Sequence, residues 1–513
     1  MARALSPLAL RAIQEPQGLA LADGQRALGW QDLHDEVMRG AAAMAALSPG
    51  RVALMASNSV EAVVAHLSAL YSGTSLVPIN PQLTASEAAW QIADSDAVVV
   101  LSGPETVQTA QAAVETAGRG RVVAWGEGLP VGVTPMAVWR DAAPVADDLR
   151  QRPAQPFLHY TSGTTGKPKG TETPSVMFPR GLTVQDLLAH LRIGVESGPE
   201  GPVLLIGPSY HTGPMTSIRE LAGGRPMIVM ERFDAEKALA LIERHRIAMA
   251  VMVPTHFQRL LALPDEVRMG YDVSSLTFVP HTGASCPVPV KRAMIEWFGP
   301  VLIEGYGGTE CGTTCIITSE EWWQRPGSVG RAVPPFEVMV LDEAGKSLDS
   351  GETGRLFFRD TTGRGIEYRN DPEKTRNAHI APGVFTLGDL GYVDEDGFVF
   401  ITGRSADMIV SGGVNIYPAE IEHELLLHPL VEDAAVIGVP HEDLGEVAKA
   451  LIVLREGGHV QPDDVLAFLK GRIAAYKLPR TIEFVRSLGR NAMGKVNKES
   501  LRRPYWPSDR TIG

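Results

Sequence analysis

The sequence predicts an α/β protein of largely parallel, doubly wound sheets, followed by a smaller αβ unit at the C-terminal end. Three observations carry this. Apolar strand-like runs alternate with helix-like runs, and strands that alternate with helices pack as parallel sheets covered on both faces. The chain has 513 residues, too many for one hydrophobic core, so two or more domains are expected. The texture changes near Gly403, where glycines cluster (Gly383, Gly388, Gly391, Gly397, Gly403) and a separate αβ pattern begins at Pro418.

In chain order, residues 51–56 read as a buried strand, 59–71 as a helix capped by Asn58 or Ser59, and 97–101 as the next strand. The alternation recurs at 203–206, 226–230 and 248–253, with a helix over 235–245. Beyond Pro418, 420–427 and 462–473 read as helices, and 434–439 and 447–454 as strands. The boundary is expected at 404–407, giving one domain over 1–404 and a second over 405–513, long enough to fold alone.

Composition excludes several classes. Hydrophobic residues make up 44% and charged residues 21%, an ordinary globular balance. A formal charge of −13 argues against nucleic acid as a partner, because such binders need a basic face. Three cysteines, Cys286, Cys311 and Cys315, are a low, odd count that fits a reducing, cytoplasmic setting. Cys311 and Cys315 have no second Cys/His pair to complete a zinc site and read as packed small residues. The leucines of the N-terminus are broken by Arg3, Arg11 and Glu15, unlike a secretory signal. No uncharged apolar run is long enough to predict a membrane-spanning helix.

The most informative stretch follows Tyr160: Thr161-Ser162-Gly163-Thr164-Thr165-Gly166-Lys167-Pro168-Lys169-Gly170. Glycines let the backbone approach a ligand, while hydroxyls, bare N–H groups and lysines suit phosphate oxygens. A P-loop would need a hydroxyl after its lysine and would open a helix. Here Pro168 follows Lys167, and proline has no N–H and interrupts a helix. The run therefore reads as a phosphate-gripping loop between strands.

These ten residues resemble the signature loop of the adenylate-forming superfamily, which comprises acyl- and aryl-CoA synthetases, nonribosomal peptide adenylation domains and firefly luciferase. The resemblance spans nearly the whole chain and favours the acyl-CoA synthetase branch. It implies stacked doubly wound β/α subdomains, a small β-barrel-like subdomain near 325–400, and a small mobile C-terminal α+β domain. It also implies the chemistry: a carboxylate attacks the α-phosphorus of ATP, then coenzyme A takes the acyl group, with Mg2+ assisting.

Site residues follow by the same resemblance. Thr161, Ser162, Gly163, Thr164, Thr165, Gly166 and Lys167 would hold the β- and γ-phosphates, with Thr165 and Glu310 on Mg2+. In Gly305-Tyr306-Gly307-Gly308-Thr309-Glu310, Tyr306 and Gly307 would lie against adenine, and Thr309 would bond the α-phosphate. A flat aromatic gives a base a face to lie on, and a carboxylate is a hard ligand suited to Mg2+. Gly283, Ala284 and Ser285 would line the adenine and acyl group. Asp389 would accept from the ribose hydroxyls, and Arg404 would reach ribose and phosphate. His211 would stand beside the acyl carboxylate, and Lys495, after Gly494, would be the catalytic lysine. Read alone, each is unremarkable: Gly-Tyr-Gly-Gly is a turn, Asp389 a turn residue, a lone histidine structural, and Lys495 part of a basic tail.

For the second step, Gly412 and Gly413 would admit the pantetheine arm of CoA, and Tyr476, Lys477 and Arg480 would hold its nucleotide end. The stretch Arg404-Ser405-Ala406-Asp407 departs from most relatives, which carry Asp or Lys where Ala406 stands. An acyl pocket lined by His211, Thr212, Gly213, His256, His281, Gly307, Gly308, Cys311 and Gly312 has many small residues. It suggests room for a fatty, steroid-side-chain, bile-type or other bulky acid. The expected partners are therefore a small-molecule carboxylic acid, ATP and CoA, with a homodimer left open. Two alternatives remain: an adenylating enzyme that loads a carrier protein in trans, and a non-catalytic nucleotide or acyl-CoA sensor.

Overall fold

The protein is described from a computed structural model covering residues 5–143, 148–161, 168–411, 414–441, 444–470, 472–491 and 494–506. A parallel sheet runs in the order Leu76–Ile79, Arg51–Met55, Ala97–Ser102, Val122–Ala124, Thr134–Pro135. A second sheet runs Met249–Ala250, Val203–Leu205, Met227–Val229, Leu19–Ala22, and ends on the antiparallel strand Ala27–Gly29. The helix Val60–Ser72 is buried at every position except Glu61. An α-helix apolar all round belongs inside a core. Its one charge is taken by Arg26, whose Nη1 donates to Glu61 at 3.0 Å.

The start of that helix resolves the Asn58/Ser59 ambiguity. Ser59 Oγ accepts from the Ala62 amide at 3.1 Å and is the cap. Asn58 is buried and does something else: Nδ2 donates to the Gly207 and Met230 carbonyls, and Oδ1 accepts from the Ser209 amide. It joins the end of the first sheet to loops of the second.

A ten-stranded sheet begins with the parallel pair Val279–His281 and Leu302–Gly308 and continues antiparallel through Gly312–Thr318, Ser328–Ala332, Val399–Arg404, Asp389–Val393 and Gly354–Asp360. The β piece expected near 325–400 is thus continuous with the strand carrying Tyr306. From Ile409 onward a further sheet, built around the hairpin Val431–His441 and Gly445–Leu454, encloses its own core of Ile421, Leu425, Val436, Ile452, Val465 and Leu469.

Helix Ala235–His245 falls where expected, capped by Asp234. Two elements are shorter than expected. The strand over 248–253 shrinks to Met249–Ala250 because Pro254 opens a helix. The helix over 462–473 stops at Leu469, and Ile473 joins the same core from a loop. No helix among the described residues is long and apolar enough to cross a membrane.

Four histidines among the described residues, His66, His159, His256 and His281, are buried in this fold. Burial lowers His66 to about 3, His159 to about 4 and His256 to about 3, each from 6.5. Neighbouring basic groups add a smaller effect to each: His159 for His66, His211 for His159 and the charged Arg259 for His256. All three are neutral in the folded protein near pH 7, whereas the unfolded chain takes up protons below about pH 6.5. Stability is therefore full above that pH and lost as pH falls toward 4. At pH 5 each such histidine costs roughly 2 kcal/mol. Denaturant unfolding at pH 7 and pH 5 should show a drop of several kcal/mol, and equal midpoints would contradict it.

Candidate active site

The site is built around one carboxylate. Asp389 opens the strand Asp389–Val393 and pairs in register with Arg404 at the end of Val399–Arg404. Tyr306 Oη donates to Asp389 Oδ2 at 2.5 Å, and Arg404 Nε donates to Oδ1 at 3.1 Å. A carboxylate has about four acceptor sites, so two remain for a ligand's hydroxyls. Burial first, then Asp389, raises the Tyr306 phenol far above its ordinary range, so it stays a donor. Glycine is obligatory beside it: a Cβ on Gly307 would sit 1.9 Å from the Gly312 carbonyl oxygen, at an irregularity in the strand pairing.

Thr309 and Glu310 lie beyond this bulge. Thr212 Oγ1 donates to Thr309 Oγ1 at 3.2 Å, and Tyr368 Oη donates to Glu310 Oε1 at 3.2 Å. Glu310 is partly exposed and, among the described residues, only its Oε1 is engaged by a donor, so it fits an oxygen ligand of Mg2+. That ion, when bound, would neutralise charge developing on the phosphates. His211 stands at the N-cap position of the helix Thr212–Ala222, without a side-chain bond to it. Burial, then the charge of Lys495, lowers it to about 4, so it acts as a neutral ring. Gly213 brings in the turn after His281: a Cβ there would lie 3.2 Å from Thr282 Cγ2. Gly283, Ala284 and Ser285 follow in that turn, with Gly283 at φ +93° and Ser285 exposed.

Lys495 reaches the cluster from the C-terminal unit. Arg490 makes two 2.6 Å bonds to Asp433 and a third to the Gly494 carbonyl. The Lys495 amide donates to Asn491 Oδ1 at 2.9 Å. Gly494 takes φ +75° and packs so closely that a Cβ would meet Thr255 Cγ2 at 2.6 Å. The Lys495 side chain keeps contact with solvent, yet it is crowded. Burial and then Arg404 lower its pKa, while Glu310 and Asp389 oppose them. Lys495 therefore stands within electrostatic reach of His211, Glu310, Asp389 and Arg404 together.

Just past Arg404, residues Ser405–Asp407 form a 3-10 turn. Buried Arg502 donates to the Ala406 carbonyl at 2.9 Å and the Asp407 carbonyl at 3.0 Å. The alanine lacks a polar side chain, and in this conformation its backbone is held by an arginine from far along the chain.

Other expected residues lie apart. Thr161 pairs with Lys169 in an antiparallel hairpin, which agrees with a loop between strands; Ser162, Gly163, Thr164, Thr165, Gly166, Lys167, Gly412 and Gly413 lie outside the described residues. Lys477 is paired to Glu420 at 2.5 Å, Tyr476 is exposed, and Arg480 is exposed. The expected acyl wall divides. Cys311 packs with Cys315, Val329 and Phe336 in the core of the antiparallel strands. His281 is buried beside the Lys291–Glu304 pair. His256 stacks on Phe233 at 4.3 Å and lines a cleft of about 1410 Å³ between the N-terminal part and the C-terminal unit. Sequence reasoning missed Tyr368, Thr255, Arg490, Asp433 and Arg502. Their partners are remote in sequence, and no short motif announces them.

Comparison with known proteins agrees with this geometry. The AMP-binding enzyme family matches residues 8–363, and the AMP-binding enzyme C-terminal domain matches 420–495. A fatty acid–acyl-carrier-protein ligase from Streptomyces coeruleorubidus is 33% identical over 516 residues, covering 96% of this chain and 94% of that protein. A 3-(7a-methyl-1,5-dioxo-octahydro-1H-inden-4-yl)propanoyl:CoA ligase from Rhodococcus jostii is 34% identical over 507 residues, covering 94% and 95%. The crystal structure of ATP-bound MatB from Rhodopseudomonas palustris superposes with a TM-score of 0.80 at 29% identity, covering 98% of this chain and 99% of that one. The fold and site define an adenylate-forming enzyme. The chain belongs to the AMP-binding enzyme family, in its acyl-CoA ligase branch.

Replacing Asp389 by Asn should leave Tyr306 and Arg404 with a weaker partner. Hydrogen bonds to charged groups contribute about 1.5–3 kcal/mol, so the KM for ATP should rise roughly 10- to 100-fold. ATP–pyrophosphate exchange against ATP concentration measures it, and an unchanged KM would refute the assignment.

Proposed function

We propose that the enzyme activates a carboxylic acid and passes it to coenzyme A in two steps. In the first, a carboxylate oxygen attacks the α-phosphorus of ATP; the bond to the β-phosphate oxygen breaks, and pyrophosphate leaves. In the second, the CoA thiol attacks the acyl carbon, its proton is lost, and AMP leaves. The single observation that carries this reading is Lys495, a point charge suited to meeting carboxylate and α-phosphate, held within reach of Glu310, Asp389, Arg404 and His211. Tyr306 and Asp389 would take the nucleoside, Thr309 the α-phosphate, and Glu310 with Thr165 the Mg2+. Residues 162–167 would hold the departing phosphates.

In this reading the chain divides into domains 1–404 and 405–513, pivoting at Ser405–Asp407, and the small domain turns between the steps. Gly412 and Gly413 would then admit the pantetheine arm, and Tyr476, Lys477 and Arg480 would meet the CoA nucleotide. The cleft beside His256 has a mixed lining, with Arg232, Arg259, Arg455, Arg486 and Arg490 against Glu231, Glu432, Asp433 and Glu456; its arginines are suited to the phosphates of an acceptor such as CoA. The acid would be fatty or ring-bearing. A carrier protein acting in trans is the second reading for the acceptor, because one close relative is named for that reaction.

Lys495→Ala should reduce ATP–pyrophosphate exchange by at least about 100-fold, while conversion of a supplied acyl-adenylate and CoA to thioester stays within a few-fold of the wild type. Equal loss of both half-reactions would contradict the two-step assignment. Exchange without any acyl-CoA product would transfer the acceptor to a carrier protein.

A further inference from the structure

A second polar cluster lies away from the nucleotide residues, at the far end of the helix that His211 begins. It surrounds a narrow cavity lined by His66, Phe157, Thr173, Leu187, Met215 and Arg219. Most of the wall is apolar, but two of its side chains are polar and lack partners. His66 is 0% exposed and neither ring nitrogen has a hydrogen-bond partner. Arg219 makes no hydrogen bond or ion pair among the described residues; the carboxylate of adjacent Glu220 is bonded by Arg225 at 2.9 Å. Arg219 is partly exposed, with Glu220 the charge that partly compensates it; a largely desolvated guanidinium with no bonded counter-ion is costly, and natural structures pair such groups. Burial lowers Arg219 to about 10, still charged at neutral pH.

The cavity is aligned with the reaction centre. Thr212, at the start of the helix, bonds Thr309. Arg219 lies seven residues further on the same helix, and Met215 and Ile218 line the cavity with it. At 1.5 Å per residue the offset is about 10 Å along the axis. The ends are bridged by neighbouring groups: His211 lies within electrostatic range of Lys495 and of His159, and His159 within range of His66. Thr173, which also lines the cavity, shares a 3.2 Å bond with His159 Nε2. The free volume is about 10 Å³, close to one water. An occupant must therefore displace side chains, and unbranched Met215 is suited to yield.

Building on the acid-activating reading above, we propose that this cavity receives the distal end of the acyl substrate and that Arg219, with His66 beside it, selects acids carrying a second carboxylate there. The preferred substrate class is a dicarboxylic acid of medium length or with a ring spacer. One carboxylate reacts near Lys495, while the other pairs with the guanidinium. A plain alkyl chain would leave the charge unpaired.

The test is acid-dependent pyrophosphate release with suberic and sebacic acids, octanoic and decanoic acids, and monomethyl suberate. Wild-type enzyme should favour the diacids over the alkyl acids and the monoester by at least about 10-fold in kcat/KM. Truncating one member of a buried charge pair costs about 2–5 kcal/mol, so Arg219→Met should shift the diacid-to-alkyl ratio by at least about 30-fold. Arg219→Lys should retain part of the preference, and serves if the methionine variant does not fold. A wild-type preference for alkyl acids, equal use of the monoester and diacid, or an unchanged ratio in Arg219→Met would overturn the proposal while leaving acid activation intact. Turnover of no acid at all would overturn both.

Discussion

The carboxylate of Asp389 is the point on which the site depends. It is buried, and it accepts from Tyr306 on one oxygen and Arg404 on the other. Tyr306 belongs to a strand that continues from the second half of the α/β part, whereas Asp389 and Arg404 sit on the antiparallel strands that lead to the turn at Ser405–Asp407. One side chain thus connects the surface offered to a nucleotide with the residue immediately before the turn. A buried ionised group is tolerated only where its bonds are supplied, so both donors are required by the same constraint that fixes the strands.

Within the C-terminal unit, two further arginines fix the backbone that faces that surface. Arg490, anchored on Asp433, shapes the loop that presents Lys495. Arg502 grips the carbonyls on which the unit would turn. Both use the planar, multi-donor guanidinium to fix backbone, which a lysine could not do in the same way. Lys495 contributes charge rather than geometry. It is close enough to Arg404 to be destabilised as a cation, and close enough to Glu310 and Asp389 to be partly compensated. A substrate carboxylate and a phosphate arriving there would complete the balance.

Local pattern made much of this legible. The largely apolar helix after Ser59, the helix Ala235–His245 and the alternation of strands were readable because periodicity and capping act over a few residues. The strands that end at Thr161 and begin at Lys169 agree with a connection between strands, a reading that rests on Pro168 interrupting a helix. Long-range pairs were not. Tyr306 and Asp389 were each marked by a motif, but their bond across 83 residues was not, and nothing local announced Arg490 and Asp433, which are 57 apart. The acyl wall shows the same limit. Small residues near the motif suggested a roomy pocket, but Cys311 turned into a core and His256 toward the cleft. The unpaired Arg219, on the helix after His211, carried no sequence signal because its meaning lies in the absence of a partner.

The central claim is that Tyr306 and Arg404 act through one carboxylate rather than separately. A double-mutant cycle of Tyr306→Phe and Arg404→Met, read as ATP affinity, measures this most directly. Residues sharing one network show interaction energies of about 0.5–3 kcal/mol. The account predicts that the double variant loses clearly less or more than the sum of the single losses, by at least about 1 kcal/mol. Strict additivity would mean that Asp389 does not couple them, and would contradict the account.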